Sequence, residues 1–354
     1  MTSNRIQTRP LRSPRACGLT CRRGIGSGLF AAAIAATATA TCLASATWKT
    51  SVASYANSAV IRYDGDTGQP IDHLVAKGMS TMANPRGMTI GPDGLLYVCS
   101  AGSNQVLRYD PITGQPVDVF IQPGFNLSEP QEIVFHGAYA YVTSFGSDRV
   151  LRYDADFGTF VDTFITAGSG GLNGPVGLAF GPNGHVFVTS IFTHQVLRYD
   201  GASGVFLDVF VPAASGGLLN PWGIHFLPDG PLLVAGAGSG SVLRFNPNTG
   251  AFIGALIGAG GTNPIVPSFI RVGPDGALYV PNQLGTSSSV FRFNVLTGAF
   301  LGTLVSPGAG GLDGAYDVIF VEDPAGCAGD LDGNGEVDGG DLGVMLGNWG
   351  LCES

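Results

Sequence analysis

The pentapeptide Val106-Leu107-Arg108-Tyr109-Asp110 decides the fold of this 354-residue chain, because close variants of it occur six times. The copies are Val60–Asp64, Val106–Asp110, Val150–Asp154, Val196–Asp200, Val242–Asn246 and Val290–Asn294. The arginines at their centres are 46, 44, 46, 46 and 48 residues apart. A repeat of this length, built from short apolar runs and turns, is typical of β-propellers.

Each repeat contains four short apolar runs that are separated by turn signals. One turn carries a Thr-Gly or Ser-Gly pair, as at Thr113-Gly114, and another reads Pro-Asp-Gly or Pro-Asn-Gly, as at Pro92–Gly94. Gly and Asn tolerate the positive φ of tight hairpins, so both signals predict antiparallel strands. Four strands per repeat amount to one propeller blade.

The last repeat lacks one strand, the counterpart of Leu96–Ala101 in an earlier repeat. The segment Thr50–Tyr55 aligns with that strand and lies just before the first pentapeptide copy. We therefore predict that an N-terminal strand closes the last blade, which removes the open sheet edges. The predicted fold is all-β, a six-bladed propeller over residues 47–322 followed by a small calcium loop–helix module.

Residues 1–46 read as a signal peptide. Six arginines precede an Ala- and Thr-rich run over residues 24–41, and Leu43–Ala46 offers an A-x-A cleavage site. A retained membrane anchor is the alternative, and Arg22-Arg23 leaves open whether export is general or twin-arginine. We expect a secreted, periplasmic or cell-surface protein with no transmembrane span after cleavage.

The charge balance argues against nucleic acid as a partner. The whole chain carries a formal charge of −9, and cleavage after Ala46 leaves 11 Lys and Arg against 26 Asp and Glu, a net −15. Phosphate backbones require a basic surface. The 55 glycines also argue against a helical bundle, because Gly weakens helix interiors.

The chain resembles the NHL-repeat propellers and the related SMP-30/gluconolactonase and streptogramin-lyase-like families. The resemblance rests on Asn84–Gly87 and Asn220–Gly223 (Asn-Pro-x-Gly), the Gly91–Gly94 turn, the Leu96–Val98 strand and the repeated pentapeptide. It covers nearly all of the expected mature chain and is specific for architecture. For activity it implies a metal-dependent lactonase or a lyase with a His base, in either case acting in the central channel.

Two columns of residues are predicted to line that channel. Counted from the Pro that precedes five of the innermost strands, or from Ala315 in the sixth, they stand two and four positions later. The first column is Gly87, Glu132, Gly177, Gly223, Phe269 and Asp317, and the second is Thr89, Val134, Ala179, His225, Arg271 and Ile319. Positions two apart share a strand face. The residues between them are all apolar, as blade packing requires.

The polar members Glu132, His225, Arg271 and Asp317 are the channel candidates. Glu132, Asp317 and His225 could hold a divalent metal that polarises a carbonyl or activates water, or could act as acid and base. The interpretation that we favour is a charge-balanced, water-filled channel in which Arg271 neutralises the acids.

A third column stands directly after the Pro, at the channel rim. Its members are Arg86, Gln131, Val176, Trp222, Ser268 and Tyr316. Arg86, Trp222 and Tyr316 could form a surface for a small ligand, a polysaccharide or a protein. Ordinary rim packing is the alternative.

The carboxyl-terminal segment, residues 323–354, reads as a calcium module. Oxygen ligands stand at loop positions 1, 3, 5, 7, 9 and 12 and Gly335 at position 6 permits the sharp turn. These ligand positions are Asp330, Asp332, Asn334, Glu336, Asp338 and Asp341.

The loop resembles a dockerin repeat, which implies a cohesin-like or cell-surface partner. Cys327 and Cys352 bracket this module, and a disulfide between them would staple it in an oxidising compartment. Cys99 is then unpaired and expected to be a buried thiol.

Together these features predict a secreted propeller that binds a ligand or a protein, with a calcium-binding docking repeat at its carboxyl end. The alternative is a metal-dependent lactonase or a lyase with its site in the channel.

Overall fold

The computed structural model describes residues 47–260 and 265–323. These residues form six antiparallel four-stranded sheets, which are the blades of a β-propeller. From the innermost strand outward, blade 1 holds β4 (Pro85–Ile90), β5 (Leu96–Ser100), β6 (Gln105–Tyr109) and β7 (Pro116–Ile121). Blade 2 holds β8 (Pro130–His136), β9 (Tyr139–Ser144), β10 (Arg149–Asp154) and β11 (Phe160–Ile165). Blade 3 holds β12 (Pro175–Phe180), β13 (Val186–Ser190), β14 (Gln195–Tyr199) and β15 (Phe206–Val211).

The remaining blades have the same order. Blade 4 holds β16 (Pro221–Phe226), β17 (Leu232–Gly236), β18 (Ser241–Phe245) and β19 (Phe252–Ile257). Blade 5 holds β20 (Arg271–Val272), β21 (Ala277–Asn282), β22 (Ser289–Asn294) and β23 (Phe300–Val305). The closure blade holds β24 (Ala315–Asp323), β1 (Thr47–Ser54), β2 (Ala59–Asp64) and β3 (Pro70–Val75).

The predicted closure is confirmed. The innermost strand of the closure blade, β24, comes from the end of the propeller and pairs antiparallel with β1 from its beginning. Thr47 lies opposite Asp323, and Val52 lies opposite Val318. Each blade of the ring is therefore complete, and the two ends of the propeller are joined by backbone hydrogen bonds.

The sequence repeat and the structural blade are out of phase. A repeat that begins at the pentapeptide supplies the two outer strands of one blade and then the two inner strands of the next, as β10, β11, β12 and β13 do. This offset requires the first and last strands of the propeller to share one blade.

The two faces of the propeller differ in their connections. Pro-Asp-Gly turns join the first and second strands of blades, and Thr-Gly-type turns join the third and fourth, so both lie on one face, which we call the turn face. The links between blades and between second and third strands lie on the other, the connection face. Innermost strands begin at the connection face and end at the turn face.

The apolar residues between the two predicted channel columns are buried between blades, as expected. Met88, Ile133, Leu178, Ile224, Ile270 and Val318 are each at most 7% exposed. The free thiol of Cys99 is also buried, on β5.

The repeated arginines are structural, but their partners differ from the sequence pattern. Arg62, Arg108, Arg152 and Arg198 pair with an aspartate ten residues later on the outermost strand. The aspartate two residues after the arginine instead accepts backbone N–H groups of the Thr-Gly turn, as Asp110 does from Thr113. Ladder pairing of β6 with β7 places Arg108 opposite Asp118, which explains the ten-residue spacing.

Several sequence-based predictions lie outside the described residues. These are the signal peptide, the calcium loop with its dockerin-like helix, and the Cys327–Cys352 disulfide. Within residues 47–260 and 265–323, no helix has the length and apolarity that crossing a membrane requires.

Candidate functional site

Glycines in the first channel column let the innermost strands of neighbouring blades approach closely. A Cβ atom on Gly177 would lie 2.4 Å from the carbonyl oxygen of Trp222, and one on Gly223 would lie 2.7 Å from that of Ser268. The N–H of Gly223 donates to the same Ser268 oxygen across the two blades at 3.2 Å. Half of this column is therefore glycine because the innermost strands lie so close together.

Three of the four channel candidates meet at one point in the channel. Arg271 donates to Asp317 through Nε at 3.0 Å and Nη2 at 2.7 Å. The same Nη2 lies 3.5 Å from Oε1 of Glu132. The side chain of Arg271 remains 28% exposed, whereas those of Glu132 and Asp317 are 5% and 0% exposed.

Both carboxylates of this ion cluster also accept backbone N–H groups from further blades. Asp317 accepts from Met88 on β4 at 2.8 Å, and Glu132 accepts from Leu178 on β12 at 2.6 Å. Arg271 Nη2 in turn donates to the carbonyl oxygen of Met88 at 3.2 Å. The cluster thus connects the innermost strands of blades 1, 2, 3 and 5 and of the closure blade.

The environment shifts the pKa values of two channel residues in opposite senses. Burial raises the pKa of Glu132 to about 7, although Arg271 and the Leu178 N–H oppose this. Burial lowers the pKa of His225 to about 4, and the positive charge of Arg271 acts in the same direction. At pH 7 His225 is neutral, and Glu132 is harder to ionise than a carboxyl group in water.

The geometry does not bring the candidates together as a metal site. Arg271 stands between the two carboxylates, and a cation there would have to displace a guanidinium that already neutralises them. His225 is linked to this cluster only through the field of Arg271. Within the part of the chain that the structure describes, no three His, Cys, Asp or Glu side chains are grouped to hold a metal ion.

The rim candidates do come together, with one residue that the sequence analysis missed. The guanidinium carbon of Arg86 lies 4.2 Å from the ring centroid of Tyr55, 4.0 Å from that of Tyr316 and 5.8 Å from that of Trp222. The Tyr55 and Tyr316 centroids are 5.0 Å apart. We call these four residues the rim cluster.

Three donors of the rim cluster have no acceptor within the described residues. They are Nε and Nη1 of Arg86 and the indole Nε1 of Trp222, all buried. Cation–π attraction to the tyrosine rings compensates part of the charge of Arg86 but supplies no hydrogen-bond acceptor. Unpaired buried polar atoms are uncommon in folded proteins, and the rim cluster holds three of the ten such side-chain atoms among the described residues.

Behind the rim cluster, apolar packing narrows the channel at the connection face. Val176, Phe269 and Ile191 form a buried group, against which Trp222 packs. Because Glu132 and Asp317 directly follow the rim positions Gln131 and Tyr316, their carboxylates lie just beneath this layer.

Beside the rim cluster lies a concavity of about 350 Å³ on the connection face. Tyr55 and Arg86 form one side of it, and the other lining residues are Asn84, Ala101, Gly102, Asn104, Ser128 and Glu129. Glu129 has a φ of +49°, and its N–H is held by Oδ1 of Asn104 at 2.7 Å. The concavity thus presents amide, hydroxyl and carboxylate groups next to an aromatic wall.

Tyr55 was missed because it lies outside the repeats that define the columns. It follows β1, and it reaches the rim only because β1 joins the closure blade. The alignment of Thr50–Tyr55 with Leu96–Ala101 contains this signal, since Ala101 lines the same concavity.

Similarity to known proteins is confined to solved structures. No protein-family model matches the chain, and no protein of curated function does either. The structure of a nidogen/laminin complex is similar with a TM-score of 0.62 and 16% identity, over 77% of this chain and 98% of that one.

Two similar structures are described as enzymes. A putative 6-phosphogluconolactonase from Bacteroides uniformis has a TM-score of 0.50 and 20% identity, over 74% of this chain and 83% of that one. A catalytically inactive virginiamycin B lyase from Staphylococcus aureus, crystallised with quinupristin, has a TM-score of 0.51 and 15% identity, over 74% of this chain and 85% of that one. At these identities the likenesses show a shared propeller fold and leave function open.

Proposed function

We propose that this protein is a binding module whose ligand site is the rim cluster together with the adjoining concavity. The observation that carries the proposal is Arg86, whose guanidinium lies over the rings of both Tyr55 and Tyr316 while two of its buried nitrogens, Nε and Nη1, have no acceptor among the described residues. Aromatic faces beside amide and hydroxyl groups suit a polar ligand that is recognised by stacking and hydrogen bonds.

The ligand class that fits best is a neutral polysaccharide. Asn84 Nδ2 already donates to the Tyr55 carbonyl oxygen and Asn104 Oδ1 already accepts the Glu129 N–H, so Asn84 Oδ1, Asn104 Nδ2 and the Ser128 hydroxyl are the groups for a ligand. The ring faces suit the apolar faces of sugars. The strong negative charge of the mature chain opposes acidic polymers. In this proposal the predicted signal peptide exports the chain, and the calcium repeat anchors it to a cohesin-like or cell-surface partner.

A titration of the mature chain with xylohexaose and cellohexaose tests this proposal. Trp222 belongs to the rim cluster, so occupation of the site should change tryptophan emission, and Trp222→Phe should remove that change. Arg86→Met keeps much of the side-chain volume but removes the charge, and we expect it to weaken binding at least tenfold. Arg149→Met is the matched control, since Arg149 also lies at the connection face and, within the described ranges, donates a hydrogen bond only to the Ser147 carbonyl oxygen.

Two results would contradict the proposal. One is equal binding by the Arg86→Met and wild-type chains when both retain the same melting temperature. The other is an absence of any emission change with either oligosaccharide or with a soluble xylan.

A second candidate function is catalysis in the channel, which the pKa of Glu132 favours. A buried carboxyl group with a pKa of about 7 suits a general acid or base, and neutral His225 suits a base. Metal-dependent lactonase chemistry is less well supported, because Arg271 already occupies the space between the carboxylates. Hydrolysis of lactones, or lyase activity, that is lost in both Glu132→Gln and His225→Ala would establish catalysis.

A further inference from the structure

Two neighbouring blades have outermost strands without charge. Strands β19 and β23 read Phe-Ile-Gly-Ala-Leu-Ile and Phe-Leu-Gly-Thr-Leu-Val. The outermost strands of the other four blades each carry an aspartate at the third position, namely Asp72, Asp118, Asp162 and Asp208. Exposed edge strands normally carry charge, which discourages pairing with other chains.

Large apolar side chains are exposed on and beside these two strands. Phe252 is 43% exposed, Ile253 54%, Leu296 71%, Phe300 44% and Leu301 53%. We call these five residues the apolar wall. Exposed apolar side chains on edge strands without charged residues indicate a surface that another segment of protein covers.

The apolar wall is continuous across the boundary between blades 4 and 5. Nη1 of Arg244, on β18, donates to the carbonyl oxygen of Leu296 in the β22–β23 turn at 3.5 Å. The same turn packs so closely on β19 that a Cβ atom on Gly298 would lie 1.8 Å from the carbonyl oxygen of Leu256. A single segment of chain can therefore contact both strands.

Arg244 gives this wall an unpaired positive charge. It is the repeated arginine of blade 4, but Gly254 stands where four of the other blades provide an aspartate. Among the described residues Arg244 contacts only carbonyl oxygens, and its buried Nε has no acceptor. A partner that carries carboxylates together with apolar side chains would complement the wall.

We infer that the carboxyl-terminal segment, residues 324–354, docks on the apolar wall. The segment carries five carboxylates between Asp330 and Asp341, and the apolar residues Leu342, Val344, Met345, Leu346 and Trp349 follow directly. A bound calcium ion would leave this stretch with a net charge of −3, which still complements Arg244. This inference is independent of the proposed ligand site, which lies at the rim cluster, but docking on the wall would compete with the binding of the same segment to a cohesin-like or cell-surface partner.

The position from which the segment starts agrees with this docking. It leaves from the end of β24 at the turn face, and the closure blade packs directly against blade 5 through Tyr63, Tyr279 and Leu304. The 18 residues from 324 to 341 can span up to ~60 Å when extended, whereas a blade of four strands is only ~15–20 Å wide. The segment is therefore long enough to bring its apolar residues onto the apolar wall.

Hydroxyl-radical footprinting of the full mature chain tests the inference, in calcium-containing buffer and at a concentration at which sedimentation shows a monomer. We expect less modification of Phe252, Ile253 and Leu301 than of the comparably exposed Val117 and Leu207 on charged edges.

Two variants should uncover the apolar wall and raise its modification several-fold. Leu346→Asp acts on the segment, whereas Gly254→Asp restores the aspartate found in four other blades and pairs Arg244. Gly254 has ordinary φ, and only the Arg244 side chain lies near its missing Cβ, so this substitution fits without strain. The matched control is Val209→Asp, which adds the same charge to the exposed edge of blade 3.

Each other outcome overturns the inference. Protection that appears only in a dimer would assign the wall to a second copy of the chain. Modification of the wild-type wall in proportion to its exposed area would show that nothing covers it. Protection that survives both Leu346→Asp and Gly254→Asp would assign the cover to another part of the chain.

Discussion

Asp317 and Arg271 form a bidentate ion pair across the central channel, although they belong to different blades. The two hydrogen bonds measure 3.0 and 2.7 Å, and Asp317 is completely buried. Because Asp317 also accepts the Met88 N–H, one carboxylate joins β24, β20 and β4. The pair therefore links the closure blade to the neighbours on both of its sides.

Removal of Arg271 should destabilise the propeller strongly. Arg271→Met leaves Asp317 and Glu132 buried without their counter-charge, and losing one partner of a buried pair costs about 3–5 kcal/mol. Urea unfolding at pH 7 would measure this loss. Arg62→Met is the comparison, since its pair with Asp72 lies at the outer edge and such pairs contribute about 0–1 kcal/mol. Equal losses in both variants would contradict a special role for the channel pair.

The two shifted channel residues should give opposite pH dependences between pH 4.5 and 6.5. The folded pKa of Glu132, about 7, exceeds its ordinary value of 4.5, so its stabilising effect is complete below 4.5 and is lost as the pH rises to 7. The folded pKa of His225, about 4, lies below 6.5, so its contribution is complete above 6.5 and is lost as the pH falls. Each of these two pKa shifts corresponds to about 3 kcal/mol in the free energy of unfolding.

Single variants should separate these two effects. In Glu132→Gln the free energy of unfolding should rise with pH across this window, because only the His225 contribution remains. In His225→Gln it should fall with pH. Urea unfolding at half-unit pH steps measures both slopes, and parallel curves for the two variants would show that the assignment is wrong.

The close approach of innermost strands predicts a steric effect at the first-column glycines. Gly177→Ala places a methyl group 2.4 Å from the Trp222 carbonyl oxygen, so the two strands must separate. Overpacking of this kind costs about 1–3 kcal/mol. Gly258→Ala is the control, because that residue has ordinary φ and no atom within 4 Å of its missing Cβ. Thermal unfolding of the two variants should differ clearly in midpoint.

The calcium loop predicted from the sequence can be tested by metal content. The mature chain should bind one Ca²⁺, and Asp330→Ala together with Asp332→Ala should abolish this binding, because two of the oxygen ligands are then lost. Isothermal titration of metal-free protein measures the stoichiometry. A metal that remains in the double variant would point to the propeller, and Glu132→Gln would then show whether the channel holds it.

The sequence predicted the blades well, because their signals are local and repeated. Turn glycines, the pentapeptide and the apolar positions such as Met88 and Leu178 all follow from short-range patterns. The partners of the repeated arginines were harder to predict, since the aspartate nearest in sequence to Arg108 caps a turn and Asp118 binds the guanidinium. Strand pairing brings the more distant residue closer.

By itself, the sequence determined that the chain is a six-bladed all-β propeller closed by its first strand, and which apolar residues of the innermost strands pack between blades. Only the tertiary structure decided that Arg271 lies between Glu132 and Asp317, that Tyr55 joins Arg86 and Tyr316, and that Arg244 has no carboxylate partner among the described residues. The physical reason is that a repeated sequence pattern predicts only those contacts that recur in every blade or between every pair of neighbouring blades. Contacts across the channel and at the closure join residues from 46 to more than 250 positions apart, whose distances depend on how the whole ring closes.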